Sequence, residues 1–452
     1  MLVASAQFAS PSGGVQCLGA AGTLPGMNVD AELRRQLAYL ECSSTFYRER
    51  LGGLRERVGG VADLPLLPFT TKDELRAAQA SRPPFGAYLC APPEALVRIH
   101  VTSGTTGDPV AIGLTRADHE ANSAIGGEAF RIAGVRPDDV VAHCLNYALY
   151  AGGIADHMAL EASGATVVPV GVGQSRRLLE LSARLGITAL FGTLSYPAYL
   201  ADRAREAGIE PAALGLRRIV TAGEPGAGLA AVRREIEVTW AAAVADTFGM
   251  SDLWSTMAGE CGRGEGLHLT TGGHSVLELV DPAGGEPVGL ADGATGELVW
   301  THLRREASPL LRYRSADLAT VWTSPCPCGR TGLRVRIDGR LDDMLRVQAV
   351  NVFPQAIAAV LDRFPGLGRH AVVADGDPIS PPLRVYVEGG PDADAGAVAD
   401  ALGRELRARF EVVRLERGAL PVAEHKRKTV YRPDHGDRLP EPIEANRRSG
   451  GA

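Results

Sequence analysis

One short segment of the chain has a composition that suits the binding of a polyphosphate. Residues 101–109 place two glycines among four hydroxyl side chains within seven positions. Glycines let a loop fold closely around phosphate oxygens, and backbone N–H groups and hydroxyls supply hydrogen-bond donors. The spacing is not that of a Walker loop, because four residues do not separate the glycines and no Gly-Lys-Ser/Thr follows. The candidate phosphate-binding residues are Ser103, Gly104, Thr105, Thr106 and Gly107.

Four other residues have the types and the spacing of a metal centre. Cys261 precedes His268 by seven positions, and Cys326 and Cys328 lie in the sequence Cys-Pro-Cys-Gly. Three thiolates and one imidazole are enough for a closed tetrahedral zinc site, which leaves no open position for catalysis. The pattern predicts structural zinc; the alternative is a set of free thiols in a reducing compartment.

Bulk composition limits the class of protein. A chain of 452 residues, 45% hydrophobic and 22% charged, is typical of a globular protein with two or three domains. The net charge of −6 is spread along the chain and no apolar run reaches about 20 residues, so we expect neither a nucleic-acid partner nor a membrane. The start of the chain lacks the basic residues of a signal peptide, and the seven cysteines are odd in number. These features predict a cytoplasmic location.

The elements that must position these residues alternate between strands and helices. Apolar runs indicate buried strands, and helical spacing separates several of them. This alternation predicts an α/β fold of parallel sheets flanked by helices, in which ligands bind beyond the carboxyl ends of the strands. Shorter alternating strands after residue 273 predict a small antiparallel unit. The predicted buried strands cover residues 140–145, 165–170, 187–191, 218–222 and 242–245.

The pattern divides the chain into four parts. Residues 1–28 are predicted to form a flexible extension, and residues 29–340 a large domain. Residues 341–436 have the strand and helix pattern of a small α+β domain, of a size that packs as a lid. The polar tail, residues 437–452, is expected to be disordered.

Motifs spread over residues 30–435 resemble, in order, those of the AMP-forming adenylating enzymes, and specifically of the phenylacetate-CoA ligase branch. The resemblance implies an enzyme that uses ATP and Mg²⁺ to adenylate a carboxylic acid, with a mobile lid. Besides the glycine-rich loop, the motifs are Leu-Pro-Phe-Thr-Thr-Lys-Asp-Glu-Leu at 67–75, Gly-Glu-Pro at 223–225, Asp-Thr-Phe-Gly-Met-Ser-Asp at 246–252, Tyr-Arg-Ser-Ala-Asp at 313–317, the segment 339–354, and Leu-Pro at 420–421 followed by Lys426.

The resemblance also implies roles for individual residues. The glycine-rich loop would hold the β- and γ-phosphates, with Thr106 among the catalytic residues, and Asp252 would face the magnesium ion. Asp317 would accept hydrogen bonds from both ribose hydroxyls, which suits a carboxylate with two oxygens. Lys426 would contact the carboxylate and the α-phosphate, and Asp342 would be the hinge of the lid. The other nucleotide-binding residues would be Gly223, Glu224, Pro225, Asp246, Thr247, Phe248, Ser251 and Arg340.

The sequence departs from the family pattern at four positions. Asp252 replaces the usual glutamate and Asp108 replaces a lysine after the glycine-rich loop, so the site is less cationic. His425 replaces a glycine beside Lys426, and Lys428 is a competing candidate for the catalytic lysine. Ala349 replaces a glycine in the loop that, in thioester-forming members, lines the channel for the pantetheine arm of coenzyme A.

The acid and its acceptor are less constrained by the sequence. An apolar, glycine-bearing loop at 147–153 and the resemblance favour an aromatic acid, aryl or arylalkenyl, in a pocket formed by Tyr147, Gly152 and Tyr196, although aromatic residues at strand ends are often core residues. The leading prediction is transfer to coenzyme A. One alternative is another acceptor (an amine or ammonia) or the activation of nitrite, and a second is a nucleotide-binding protein without turnover. The oligomeric state is open between a monomer and a homodimer.

Overall fold

The computed structural model describes residues 27–102, 108–224, 230–390, 393–421 and 428–449. Its helices are α1 (Val29–Ser43), α2 (Thr45–Leu51), α3 (Lys72–Ser81), α4 (Arg116–Ile132), α5 (Ala151–Ser163), α6 (Ser175–Leu185), α7 (Tyr196–Glu206), α8 (Ala230–Trp240), α9 (Pro354–Leu361), α10 (Ala395–Leu406) and α11 (Glu441–Ser449). Its strands are β1 (Leu96–Val101), β2 (Ala111–Thr115), β3 (Val140–His143), β4 (Thr166–Pro169), β5 (Ala189–Gly192), β6 (Arg218–Thr221), β7 (Ala243–Phe248), β8 (Ala258–Gly259), β9 (Leu267–Leu269), β10 (Ser275–Val280), β11 (Pro287–Val288), β12 (Ala294–His302), β13 (Tyr313–Trp322), β14 (Arg334–Arg340), β15 (Leu345–Val347), β16 (Val350–Val352), β17 (Leu367–Val373), β18 (Leu383–Gly389), β19 (Phe410–Leu415) and β20 (Val430–Tyr431).

Within these ranges, 12 strands form one mixed sheet in the order β11-β10-β12-β13-β14-β9-β8-β7-β6-β5-β3-β4. Strands β4, β3, β5, β6 and β7 are parallel, and helices α5 to α8 connect them in turn. In the other half of the sheet, neighbouring strands pair antiparallel in the order β8-β9-β14-β13-β12-β10-β11. The predicted α/β class is confirmed.

Strand β7 joins the parallel half of the sheet to the antiparallel half. Its residues from Ala243 to Asp246 pair in parallel with β6, whereas Thr247 and Phe248 pair antiparallel with β8. The predicted small antiparallel unit is therefore not separate from the parallel sheet but continues it, because β8 and β9 bridge β7 to β14. Strand patterns alone do not specify which strand pairs with which.

The N-terminal helices cover the antiparallel half of the sheet. Leu33 and Leu37 of α1 and Tyr47 of α2 are fully buried in the cluster that includes Trp300 of β12. The Tyr47 hydroxyl also donates to the carbonyl oxygen of Pro309 at 2.6 Å. These contacts hold α1 and α2 against the sheet. Helix α3, which follows them in the chain, extends toward the candidate site.

The residues after β14 have a hydrophobic core of their own. Hairpin β15–β16 and helices α9 and α10 pack with a sheet in the order β19-β18-β17-β20 around Val352, Ile357, Val385 and Leu402. The C-terminal tail differs from the prediction of disorder, because it contains α11, whose Ile443 is fully buried with Tyr386 and Tyr431. One apolar residue in a polar segment gives no recognisable helical pattern, which is why the sequence did not indicate this helix.

None of the helices in the described ranges combines the length and the apolar character that a membrane crossing would require.

Candidate active site and metal centre

The carboxyl ends of three neighbouring parallel strands lie at one edge, and two of these strands, β6 and β7, carry predicted nucleotide-binding residues. Strand β5 ends at Gly192, β6 ends at Thr221, and β7 reaches Asp246 at the same level of the sheet. Carboxyl ends of adjacent parallel strands share one edge, and loops from this edge are where ligands of open α/β sheets bind. The structure therefore brings the 223–224 and 246–248 motifs together at one edge.

Asp246 and Thr247 are held by hydrogen bonds within this edge. The Thr221 hydroxyl donates to Asp246 Oδ1 at 2.9 Å, and the Thr247 hydroxyl donates to the Thr221 carbonyl oxygen at 2.8 Å. Burial raises the pKa of the Asp246 carboxyl to about 7, against the opposing effect of the bond from Thr221. The Thr247 hydroxyl bonds β7 to β6, so Thr247 stabilises the edge of the sheet that carries the site.

The loop after β6 has a conformation that depends on glycine. Gly223 has a φ of +76°, a left-handed conformation that side chains other than that of glycine rarely adopt. Glu224, next in the chain, accepts hydrogen bonds from the backbone N–H of Ser195 at 2.7 Å and from its hydroxyl at 3.1 Å. The Glu224 side chain thus fastens the loop after β6 to the loop after β5.

The turn that follows β7 positions Phe248, Ser251 and Asp252. Gly249 is required there by packing, because a Cβ atom at this position would lie 1.8 Å from the carbonyl oxygen of Ser255. Phe248 and Ser251 are partly buried, and Phe248 packs against the large core cluster. Asp252 is only 6% exposed at the inner side of the turn.

Asp317 and Arg340 form a pair on adjacent antiparallel strands. Asp317 of β13 lies opposite Arg340 of β14, and Arg340 Nη1 donates to Asp317 Oδ1 at 3.0 Å. The other oxygen, Oδ2, is buried and has no hydrogen-bond partner among the described residues. Burial raises the pKa of Asp317 to about 6, and the charge of Arg340 opposes this shift. A buried carboxylate oxygen without a partner is costly, and a ligand hydroxyl would satisfy it.

Arg340 also contacts the predicted hinge residue. Its Nε and Nη2 donate to the two carboxylate oxygens of Asp342 at 2.9 and 2.8 Å. Such bidentate pairing fixes the plane of the guanidinium group. Arg340 therefore links Asp317, in the large sheet, to the segment Leu341–Asp343, where the C-terminal unit begins.

Asp252 has a cationic partner that the sequence analysis did not assign. Lys72 Nζ lies 3.3 Å from Asp252 Oδ2, whereas Asp252 Oδ1 is buried and has no hydrogen-bond partner within the part of the chain that the structure describes. Burial raises the pKa of the Tyr313 hydroxyl well above its usual value; the negative charges of Asp252 and Asp317 raise it further, and the charge of Arg340 opposes them.

Helix α3 supplies both Lys72 and a second cation, Arg76, to this region. Arg76 Nε donates to the backbone carbonyl of Asp108, the residue that replaces the family lysine. The two cations are four residues apart, so they lie on the same face of the helix. Thr70 anchors the start of the helix by backbone hydrogen bonds to Arg312 and Arg314, at 2.9 Å each. The signal in the sequence was the i, i+4 spacing of two cations, Lys72 within the family motif at 67–75 and Arg76 directly after it.

The structure places the three residues of the predicted acid pocket in two different regions. The hydroxyl of Tyr147 lies 2.9 Å from Nδ1 of His157, and Gly152 is in the first turn of α5, close to the end of β3. Tyr196 is instead 2% exposed in the core between α6 and α7, with its hydroxyl 3.0 Å from the Ser175 hydroxyl. The structure thus places Tyr196 in a core cluster, the alternative that its position at a strand end left open, and its part in the acid pocket stays a prediction.

Part of the predicted site lies outside the described residues. Lys428, the alternative to Lys426, is described, and its ammonium group pairs with Asp437 and lies 5.9 Å from the ring centre of Tyr431. The residues outside the described ranges are Ser103, Gly104, Thr105, Thr106, Gly107, Pro225 and Lys426.

The four predicted metal ligands converge in space. Cys261 Sγ lies 3.6 Å from Cys326 Sγ, Cys328 Sγ lies 3.5 Å from His268 Nε2, and all four ligand atoms lie within 4.8 Å of one another. Ligands bound tetrahedrally at about 2.3 Å would be roughly 3.8 Å apart, so the observed distances fit a single zinc ion. The donor set of three thiols and one imidazole also suits this metal.

The protonation of these groups favours metal binding. Burial, with Arg334 and Arg330 nearby, lowers the pKa of His268 to about 4, so the imidazole is neutral at pH 7. Burial opposes the ionisation of Cys328, but hydrogen bonds from Arg330 and the neighbouring thiols outweigh it and lower the pKa of Cys328 to about 7. Zinc binds a neutral imidazole and thiolates, so the shifts at His268 and Cys328 favour metal binding, whereas burial raises the pKa of the Cys326 thiol and opposes it.

Comparisons with known proteins identify the family of the chain. The sequence model of the AMP-binding enzyme family matches residues 28–302. The phenylacetate-coenzyme A ligase of Thermus thermophilus is 35% identical over 347 residues, which are 75% of this chain and 76% of that protein. The phenylacetate-coenzyme A ligase of Escherichia coli is 35% identical over 318 residues, 69% of each chain.

Solved structures show the same fold. A 2-hydroxyisobutyryl-CoA ligase in the postadenylation state, in complex with 2-HIB-AMP, matches with a TM-score of 0.82 and 27% identity, over 94% of this chain and 92% of that one. The same ligase in the thioesterification state, with 2-HIB-AMP and CoA, matches with a TM-score of 0.65 at 28% identity, over the same shares of the two chains.

The chain belongs to the AMP-binding enzyme family. Within that family it is an AMP-forming acid ligase whose curated relatives are phenylacetate-CoA ligases.

Proposed function

We propose that this protein is an ATP-dependent ligase that adenylates an aromatic carboxylic acid and transfers the acyl group to coenzyme A. The observation that carries the proposal is the buried Asp317 carboxylate, with one oxygen bound to Arg340 and the other without a partner in the described ranges. A ribose offers two neighbouring hydroxyl donors, which this carboxylate can accept.

The nucleotide would occupy the edge formed by β5, β6 and β7. Its adenine would lie against the segments at 223–225 and 246–248, where Phe248 offers an aromatic face. Arg340 would place a fixed positive charge near the ribose and the α-phosphate, since Asp342 and Asp317 orient its guanidinium group. This orientation supports charge stabilisation without reorganisation during the reaction.

The phosphates would lie between the glycine-rich loop and α3. The glycine-rich loop supplies N–H and hydroxyl donors, and Lys72 adds a cation that offsets the lysine missing at Asp108. Asp252 Oδ1, buried and unpartnered among the described residues, is an oxygen of the type that Mg²⁺ binds, directly or through water. Bound Mg²⁺ would neutralise charge on the phosphates, and Asp252 would orient it.

Lys426 remains our candidate for the lysine that contacts the reacting carboxylate and α-phosphate. The pairing of Lys428 with Asp437 supports this choice, because a catalytic ammonium group needs to be free for substrate. The lid would rotate about Asp342 between the two half-reactions. The higher TM-score to the postadenylation state than to the thioesterification state, 0.82 against 0.65, supports a lid placed for the first half-reaction.

The acid would bind near Tyr147 and Gly152, beside the end of β3. The names of the curated relatives support a phenylacetate-like acid, and the partly buried Tyr147 ring offers a flat apolar surface. The cluster of Cys261, His268, Cys326 and Cys328 would hold one structural zinc ion. The cytoplasmic location and the choice between monomer and homodimer remain predictions.

The test is a pyrophosphate-release screen over aromatic and aliphatic acids, each with and without coenzyme A. We expect an aromatic acid to give the highest kcat/KM and a thioester in the presence of coenzyme A. Adenylate without thioester would favour the alternative reaction, in which the acceptor is an amine or ammonia or the activated acid is nitrite. The thioester yield of Ala349→Gly would then show whether the Cβ of Ala349 obstructs the pantetheine channel. No pyrophosphate release with any acid, despite ATP binding, would favour a protein without turnover.

A further inference from the structure

Helix α5 carries a buried acidic residue that the proposed reaction does not use. Asp156 is 2% exposed, and its Oδ1 accepts a hydrogen bond from the hydroxyl of Thr256 at 2.9 Å. Burial raises the pKa of this carboxyl to about 6, whereas hydrogen bonds from Ser255 and Thr256 oppose the shift, so the group is ionised at pH 7. A buried carboxylate that is held by hydroxyls is costly for the fold, and such groups cluster at functional sites.

Ser255 is also held from a second helix. Its N–H donates to Asn122 Oδ1 of α4 at 2.9 Å, and Asn122 Nδ2 donates to the Ser255 hydroxyl at 2.9 Å. Because this hydroxyl accepts from Asn122, its own proton is available for Asp156. Helices α4 and α5 therefore hold the segment 255–256 by directed hydrogen bonds.

Close packing brings the two helices and this segment together at Gly126 of α4. A Cβ atom at Gly126 would lie 2.6 Å from the Cβ of Ala159 on α5 and 3.4 Å from the carbonyl oxygen of Thr256. Glycine permits so close an approach because it has no side chain. The hydrogen bonds of Asp156 and Asn122 thus act where the three elements already touch.

The segment 255–256 is the returning arm of the turn that carries Asp252. The N–H of Met250 donates to the Trp254 carbonyl oxygen at 2.9 Å, and the N–H of Met257 donates to the Phe248 carbonyl oxygen at 2.8 Å. These bonds join the two arms of the turn below its tip, where Asp252 lies. A shift of the returning arm would therefore move Asp252.

We propose that Asp156 is a positioning residue for Asp252, the carboxylate that would face Mg²⁺. The proposal rests on the proposed function, which assigns the metal to Asp252. Asp156 acts through the hydroxyls of Ser255 and Thr256, which keep the returning arm against α5. A carboxylate whose supporting groups are fixed binds a metal more tightly than one whose supports are missing.

The same carboxylate lies close to the region where the acid would bind. A Cβ atom at Gly152, in the first turn of α5, would lie 3.6 Å from Asp156 Oδ2. Asp156 therefore links the helix that borders the predicted acid site to the turn that faces the metal. This link fixes the distance between the two substrate regions from the side of the large sheet.

The test measures the affinity of the full-length protein for ATP by calorimetry, once with Mg²⁺ and once with EDTA in its place. The variants are Asp156→Ala, Thr256→Val, which removes the hydroxyl but keeps the shape, and Thr256→Ser, which keeps the hydroxyl but removes the methyl group. Ser163→Ala is the matched control, because Ser163 is a buried serine of the same helix whose hydroxyl donates to the Leu160 carbonyl oxygen. Thermal unfolding of each variant reports whether the fold is kept.

We expect Mg²⁺ to tighten ATP binding by the wild type about tenfold, and Asp156→Ala and Thr256→Val to lose most of this gain while the affinity in EDTA is unchanged. Thr256→Ser and Ser163→Ala should keep the gain. If Asp156→Ala fails to fold, Thr256→Val alone decides.

Three results would overturn the proposal. The first is an unchanged gain in the folded variants without the hydroxyl or the carboxylate. The second is an equal loss of affinity with Mg²⁺ and with EDTA, because the network would then support the nucleotide site as a whole. The third is a loss in Thr256→Ser as large as in Thr256→Val, which would assign the effect to packing of the methyl group.

Failure of this proposal is distinguishable from failure of the proposed function. A wild type that binds ATP equally with Mg²⁺ and with EDTA would refute the role of Asp252 in that function, and this proposal with it. A wild-type gain that every variant retains would leave the ligase function intact and remove only Asp156 from it.

Discussion

The two ends of strand β14 have contrasting polar environments. Arg334, at the start of the strand, pairs across the sheet with the metal-ligand residue His268, whereas Arg340, at its end, pairs with Asp317. Six residues of extended chain separate the two ends by about 20 Å. At the first end four ligand atoms face one another, and at the second a carboxylate oxygen faces no partner in the described part of the chain.

This contrast supports our proposal that the first end is completed by a permanent ion and the second by a substrate. A cluster of thiols and an imidazole is satisfied by one ion that stays bound, and its four protein ligands leave no position for chemistry. An unpartnered buried carboxylate oxygen costs the free enzyme stability, and a ligand hydroxyl that binds and leaves relieves that cost only while it is bound. We call the Arg334 end of β14 the metal end and the Arg340 end the nucleotide end. We therefore expect changes at the metal end to affect stability, and changes at the nucleotide end to affect binding and rate.

The largest expected effect is at Lys426, which belongs functionally to the nucleotide end. Lys426→Ala should lower the rate of pyrophosphate exchange by roughly 10²–10³-fold, equivalent to about 3–4 kcal/mol, because it removes a charge that acts as charge develops at the α-phosphate. ATP binding should be largely kept. Lys428→Ala is the control, since its ammonium group already pairs with Asp437; a larger loss in this variant than in Lys426→Ala would reverse the assignment.

Asp317→Asn should weaken ATP binding by about 2 kcal/mol, roughly 30-fold, because an amide cannot accept from both ribose hydroxyls with a full negative charge. Isothermal titration with ATP and with adenosine should show the same loss, since the contact involves the ribose. Asp342→Asn tests whether the effect is indirect, because Asp342 binds the same arginine without facing the ribose. Equal losses in the two variants would mean that Asp317 acts through Arg340 and not on the nucleotide.

At the metal end, Cys328→Ser should lower the zinc content below one equivalent per chain and destabilise the fold by roughly 1–3 kcal/mol. Metal analysis and thermal unfolding measure the two effects. Cys42→Ser is the matched control, because Cys42 is exposed and outside the cluster. Freshly purified, reduced wild type without zinc would rule out the metal centre, and a selective loss of adenosine binding in Cys328→Ser would contradict the separation of the two ends.

Lys72→Ala should raise the KM for ATP about fivefold, which corresponds to about 1 kcal/mol for a partly exposed charge. The effect should be absent for adenosine, which has no phosphates, and Lys72→Arg should restore most of the affinity. A loss of adenosine binding in Lys72→Ala would show instead that the Lys72–Asp252 pair holds the turn after β7 in place, and that Lys72 does not contact phosphate.

Some of this contrast could be predicted from the sequence. Parallel strand ends share an edge, so the motifs at 223 and 246 were expected to meet, and the ligand types at Cys261, His268, Cys326 and Cys328 indicated a cluster. The approach of Lys72 to Asp252 was not predicted, because no local pattern specifies a contact across 180 residues. The sequence left the place of Tyr196 open, because an aromatic residue at a strand end has the same pattern in a core as in a pocket.

The smallest effect, and the finest test of the nucleotide end, is the pH dependence of adenosine binding. Burial raises the pKa of Asp317 to about 6, so the carboxylate is ionised above that pH and protonated below it. Ionised oxygens accept hydrogen bonds from the ribose hydroxyls, so affinity should be constant above about pH 7 and fall toward pH 5, by at most tenfold per pH unit.

Asp246, with a pKa raised to about 7, is the other group that titrates at this edge, so the profile is measured also in Asp246→Asn. If Asp317 carries the dependence, Asp317→Asn should abolish it and Asp246→Asn should keep it. The opposite result would move the titrating contact from the ribose to the adenine side of the site, while a flat profile in the wild type would remove Asp317 as the acceptor of the ribose hydroxyls.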